Sequence, residues 1–189
     1  MVGALLFLCH PSRQASRLLT LARNLTGLAA MIGIMVSLPV SGGHINPSVT
    51  VAFAVGKRMP WAKVPHYLIA QYTGAFLAGF PIWTLYHEHI DSFDSGRRSA
   101  FGLANSTGKI FTTFPAPTAS LGTCIFDQVF MTTLLLIALC AIIDPKGMKI
   151  PVYLQPFIIS LLIASLGVAF GYNSGGGINP GERERERKM

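Results

Sequence analysis

The chain has 189 residues, of which 51% are hydrophobic and only 12% charged, with a mean hydropathy of +0.49. Soluble domains carry about twice that charged fraction, so the composition excludes a soluble globular fold and points to a membrane solvent. The formal net charge of +7 does not indicate nucleic acid. Lys57, Arg58 and Lys63 sit between apolar runs and the other bases lie at the ends or in short loops, a pattern of membrane anchoring rather than a phosphate-tracking stripe.

In chain order, residues 1–23 read as an atypical N-terminal segment: an apolar start with no basic residue before it, then a polar, basic stretch to Arg23. Such a stretch does not cross hydrocarbon cheaply, and the start makes a weak secretory leader at best. Residues 24–40 are uncharged and apolar, just long enough to span a bilayer core at about 1.5 Å per residue. Next comes Ser41-Gly42-Gly43-His44-Ile45-Asn46-Pro47-Ser48 and a short apolar run, 49–56. The glycines turn the chain, Asn46 caps and Pro47 suits a first helical position. The run is too short to span, which predicts a re-entrant half-helix surrounded by protein.

Residues 64–86 form the next predicted span, with Trp61 and Tyr86 as interfacial anchors and Gly74, Ala75, Ala78 and Gly79 for close helix packing. A long polar connection, 87–120, contains Asn105-Ser106-Thr107, which makes Asn105 a glycosylation acceptor if the loop is extracellular. Residues 122–143 read as a span interrupted by Asp127, 144–147 as a turn, and 151–171 as a span free of formal charge. Asn173-Ser174-Gly175-Gly176-Gly177-Ile178-Asn179-Pro180 follows, and 181–189 is a tail of alternating Glu and Arg that reads as disordered. The organisation is thus a terminal segment 1–23, an all-α polytopic membrane domain 24–180, and a charged tail 181–189. Cys9, Cys124 and Cys140 have no metal-ligand spacing and read as small fillers.

His44-Ile45-Asn46-Pro47 and Gly177-Ile178-Asn179-Pro180 echo each other, each after a Ser/Gly-rich turn at the end of an apolar span. Glycine-rich breaks in corresponding halves point to an inverted-repeat channel or transporter whose site lies where two broken helices meet. An Asn at the tip of a half-helix aims amide donors at an uncharged oxygen, while lead-in carbonyls accept on the other side. Two half-helix N-termini at mid-membrane add partial positive charge, which repels cations and hydronium. No catalytic constellation competes with this reading, since there is no metal-spaced His/Cys cluster and no nucleophile elbow; neither enzyme activity nor a cofactor is expected.

Residues 41–50 resemble the first Asn-Pro-Ala box of the aquaporin, or major intrinsic protein, family, with Ser48 in place of the Ala. Met59-Pro60-Trp61-Ala62-Lys63-Val64-Pro65, Ala70-Gln71 with Gly74-Ala75-Phe76, residues 110–117, Asp127-Gln128 and residues 170–175 are similar to its aquaglyceroporin branch. The resemblance covers residues 24–180. It implies an aquaporin-like inverted repeat, six spans and two half-helices per subunit, assembled as a homotetramer with a pore in each subunit for water, glycerol and often urea. Carried onto this chain, it makes Asn46, Pro47, His44, Asn179 and Pro180 pore-lining. It places Thr26, Gly167, Gly176 and Glu182 at the selectivity filter and has Asp127 support the second Asn-Pro loop.

The chain also departs from the family. After Pro180 the family has Ala and then Arg; here stand Gly181 and Glu182, so an acid occupies the filter position of the Arg. Only about four spans and the first half-helix are present, and the topology that puts Lys57, Arg58, Lys63, Lys146 and Lys149 inside leaves Arg13, Arg17 and Arg23 outside. The chain therefore reads as truncated at both ends. Two functions follow: a passive channel for glycerol, water and similar solutes, or a non-conducting truncated isoform or fragment that associates with full-length subunits. The resemblance and the glycan signal imply the plasma membrane.

Overall fold

The computed structural model describes residues 13–99 and 106–180, without the side chains of 13–24 and 109. Asn105, Glu182, residues 1–12 and the tail 181–189 lie outside the described residues. Helix α1 (Arg13–Ser41) is followed by the short α2 (Pro47–Val55), then by α3 (Val64–Leu77) and α4 (Gly79–Asp94), which join at Ala78 into one continuous rod. After the loop that follows Asp94 come α5 (Leu121–Ile143) and α6 (Gln155–Phe170). Single 3-10 turns lie at Trp61–Lys63, Gly108–Ile110 and Val152–Leu154.

Among the described residues, three helices are long and apolar enough to cross a membrane: Trp61–Asp94, Leu121–Ile143 and Val152–Phe170. The apolar part of α1, Leu25–Ser41, is a shorter helix of the same kind. Large apolar side chains such as Val40, Leu121, Phe126 and Leu85 stand on the outer surface. In water that exterior would aggregate, whereas in hydrocarbon it is the ordinary solvent-facing surface. The fold is all-α and polytopic.

The basic stretch from Arg13 and the apolar run Leu25–Ser41 form one helix, α1. One boundary differs from the sequence expectation. Residues 87–94, expected to belong to the polar connection, continue α4. The reason is amphipathicity: Ile90 and Asp94, one turn apart, point inward and are buried, while Glu88, His89, Asp91 and Ser92 face out. The His87-Glu88-His89 run is therefore on a helix and not in a loop.

The most extensive helix pair is α1 against α6. They approach closely at Gly27, where a Cβ would stand 2.8 Å from Ala164 Cβ. Small residues permit this, as they do between helices in lipid generally. Two apolar clusters flank the crossing. One joins Ile34, Val49, Leu139, Ile142 and Ile159, and so seats α2; the other joins Met131, Leu135, Leu166 and Ile178, and seats the loop after α6.

Candidate functional site

The two Asn-Pro loops meet inside the bundle. Asn46 caps α2 with extended dihedrals (φ −145°, ψ 125°), its Oδ1 accepting from Ser48 N at 2.9 Å, and Pro47 takes the first helical position, where no N–H is needed. Its amide Nδ2 donates to the carbonyl of Ile178 at 2.9 Å. Asn179 Nδ2 donates in return to the carbonyl of Ile45 at 3.0 Å. Each loop thus satisfies a non-helical carbonyl of the other.

The lead-ins share one backbone shape. Gly42 and Gly43 have φ of +82° and +73°, and Gly175 and Gly176 both have +78°, a left-handed pair that only glycine adopts cheaply. Ile45 N donates to Gly43 O and Ile178 N to Gly176 O, both at 2.9 Å.

Different helices brace the two loops. Gln71 on α3 donates through Nε2 to His44 O and to Thr50 Oγ1 (2.9 Å), and Tyr67 OH donates to Ser41 O at 2.8 Å. The buried His44 ring packs edge-on against Phe53 at 4.4 Å and tilted against Tyr67 at 5.2 Å. The second loop is held from α5. Asp127, buried, accepts on Oδ2 from Ser174 N at 3.2 Å and from Ser174 Oγ, and Cys124 Sγ lies 3.6 Å from Asn173 O.

A cavity of about 1250 Å³ runs along the meeting point, its wall including Thr26, His44, Asn46, Gly74, Thr113 and Asn179. A smaller one of about 310 Å³ lies between α2 and α5, lined by Ser48, Gln128, Thr132, Thr133 and Pro180. Gly167, a turn before the end of α6, and Gly176 are not on the wall of the larger cavity; Gly175 is. Sequence reasoning missed the roles of Gln71, Tyr67 and Ser174. A Gln inside an otherwise apolar span was the available signal, because such a group needs a buried partner. Among the described residues no group of three or more His, Cys, Asp or Glu is placed to hold a metal ion.

Comparison with known proteins places this geometry in a family. Residues 4–183 match the family described as Major intrinsic protein. The chain is 40% identical over 153 residues to human Aquaporin-9, covering 81% of this chain and 52% of that protein. It is 37% identical to human Aquaporin-10 over 153 residues, covering 81% of this chain and 50% of that protein. To Aquaporin-3 of Milnesium tardigradum it is 41% identical over 154 residues, covering 82% of this chain and 47% of that protein. Among solved structures, the aquaglyceroporin from Plasmodium falciparum superposes with a TM-score of 0.80 at 25% identity, covering 95% of this chain and 69% of that one. The chain spans about half the length of the curated relatives it matches. It belongs to the major intrinsic protein family.

Proposed function

We propose that this chain forms the wall of a passive transmembrane path for glycerol, water and similar small neutral solutes, urea among them. The observation that carries the reading is the reciprocal Asn46–Ile178 and Asn179–Ile45 clasp on the wall of the large cavity. A carboxamide both donates and accepts, and both clasping side chains stand on the cavity wall. On this reading the amides meet solute oxygens, the loop carbonyls accept solute hydrogens, and the apolar faces of α1 and α3 strip water from the carbon chain. The N-terminus of α2 adds positive potential against cations. The path involves no bond-making, consistent with a family of channels rather than enzymes.

The matched lead-ins support an inverted repeat of two half-helices, with α1 and α6 as its corresponding spans. Thr26 and Gly175 would face the solute in its outer part; Gly167 and Gly176, filter positions by resemblance, stand off that wall, and Glu182 lies outside the described residues. Homotetramer assembly, a plasma-membrane site and glycosylation at Asn105 complete the proposal; the first rests on the resemblance, the last on the Asn105-Ser106-Thr107 acceptor, and the second on both.

One observation favours the second reading, association with full-length subunits without conduction. Gly74 and Ala78 on the cavity wall are exposed, and a Cβ built at Gly74 meets nothing within 4 Å. Small-residue faces of this kind receive helices. Stopped-flow swelling of vesicles holding the purified chain under a glycerol gradient separates the two, beside empty vesicles and Asn46→Ala. Flux above both controls supports the path; flux equal to empty vesicles from an inserted, folded chain supports the second reading.

A further inference from the structure

The outer end of α4 holds a carboxylate that the solute path does not touch. Asp94 is the last residue of α4, yet it is completely buried. Its Oδ1 accepts from Gly96 N at 2.9 Å and from the Arg98 guanidinium at 2.8 Å. Its Oδ2 accepts from Arg98 at 3.0 Å and from Thr107 Oγ1 at 2.9 Å. Arg98 also pairs with Asp91. The charge is compensated and the acceptor sites are filled, the condition under which a buried carboxylate stabilises its surroundings.

Thr107 is the far end of the latch. It is buried, its N–H donates to Ser99 O at 3.0 Å, and its carbonyl accepts from Ile110 N at 3.0 Å. Ile110 and Thr112 are buried in turn. Three residues past Ile110 the chain meets the second Asn-Pro loop. A Cβ on Gly175 would stand 3.0 Å from Phe114 O, and one on Gly177 would stand 3.1 Å from Thr113 Oγ1. Ala116 N donates to Asn173 O at 2.8 Å. Phe111, Thr112 and Thr113 share the cavity wall with Asn179.

We infer that Asp94, acting through Thr107, is a positioning residue. It fixes where residues 110–116 meet 173–177, and thereby the outer width of the cavity and its discrimination between glycerol and water. The discrimination rests on the channel reading above, whereas the mechanical coupling does not.

Hydrogen exchange by mass spectrometry, on the chain in lipid nanodiscs, tests the coupling. Protein made without N-glycosylation is needed, because Thr107 also completes the Asn-Ser-Thr acceptor. Thr107→Val keeps the shape and loses the hydroxyl; Thr107→Ser keeps the hydroxyl. The Val variant is expected to exchange about tenfold faster both at 107–113 and at 173–178, with the Ser variant unchanged. Acceleration confined to 107–113, or equal in both variants, overturns the coupling. Asp94→Asn, which leaves one acceptor oxygen for three donor groups and removes the counter-charge of Arg98, is expected to accelerate both segments at least as much as Thr107→Val does. It decides the matter if the Val variant fails to fold, and an unchanged 173–178 in it overturns the proposal.

Vesicle swelling supplies the second arm. A several-fold change in the glycerol-to-water permeability ratio in Thr107→Val, restored in Thr107→Ser, supports the role in discrimination, and an unchanged ratio overturns it. A parent chain that passes neither solute overturns the channel reading, and the exchange arm still decides the coupling.

Discussion

Replacing Gly27 by Ala is expected to open the seam between α1 and α6. A methyl there overlaps the Ser160 carbonyl oxygen outright and stands 2.8 Å from Ala164 Cβ and 3.2 Å from Ala164 N. Comfortable carbon contacts begin near about 3.5 Å, so the helices must separate locally by up to about 1 Å. The principal obstacle is main chain within a helix, which no rotamer change relieves. Overpacking of this kind costs about 1–3 kcal/mol, and the better helix propensity of Ala returns up to about 1 kcal/mol. Because the obstacle is backbone, the overpacking cost falls in the upper part of that range, about 2–3 kcal/mol. The net loss is therefore about 1–3 kcal/mol, a fall of roughly 2–12 °C in the unfolding midpoint for a chain of this size. Thermal unfolding in detergent, followed by size-exclusion fluorescence, reads that shift. Two second-site changes identify the cause. Ala164→Gly removes the 2.8 Å contact and should restore part of the loss. Ser160→Ala should restore nothing, because the clash is with the carbonyl and the hydroxyl is already bonded to Phe157 O. Parent-like stability in Gly27→Ala, or rescue by Ser160→Ala, would refute the reasoning.

Asp127→Leu strands the N–H and hydroxyl of Ser174 in a buried setting, at about 1–3 kcal/mol for each group, whereas Asp127→Asn keeps an acceptor and should lose less. Chemical unfolding in mixed micelles checks the ranking, and equal losses would mean that charge rather than acceptance matters. Gln71→Leu removes the donor to His44 O and Thr50 Oγ1 and should cost about 1–3 kcal/mol, with faster amide exchange at 43–50. Exchange at parent rates there would show that the first loop is held without Gln71, by its own turn, Tyr67 and the clasp with the second loop.

The parts of the fold that were legible in the sequence are those with local signals. Two left-handed glycines, an Asn and a Pro mark each loop over eight residues, and the apolar run after Pro47, capped by Asn46, is too short to be anything but a half-helix. The predicted spans 122–143 and 151–171 correspond to α5 and to α6 with its 3-10 lead, because continuous apolar runs leave few alternatives. Polarity was a poor stop signal at the membrane edge. The continuation of α4 to Asp94 depends on Ile90 and Asp94 sharing a buried face, and charge count alone does not reveal that face. The bracing groups were illegible for another reason. Gln71 reaches His44 across 27 positions and Ser174 reaches Asp127 across 47, so the partner that explains each polar group lies far outside any local window.

The choice of Asn at the centre follows from two demands that no other capping residue meets together. Capping α2 needs a side-chain oxygen on Ser48 N, which Ser, Thr and Asp also supply. Satisfying Ile178 O needs a donor from the same side chain at the same time, because Ile178 is buried and its carbonyl cannot be left unpaired. A hydroxyl is too short to do both, and an ionised carboxylate has no hydrogen to give. Only the carboxamide accepts with one atom and donates with the other. Asn46→Asp should therefore keep the cap and lose the clasp. Its carboxylate would face Ile178 O without a proton between them, a repulsive contact that also raises the cost of burying the charge. The expected result is parent-like helix content by circular dichroism, with exchange accelerated at both 43–46 and 176–179, segments 132 residues apart at the bond that joins them. Acceleration at the first segment alone would mean that Asn179 and Asp127 hold the second loop without help from Asn46, and the two halves would then be neighbours rather than a mutual lock.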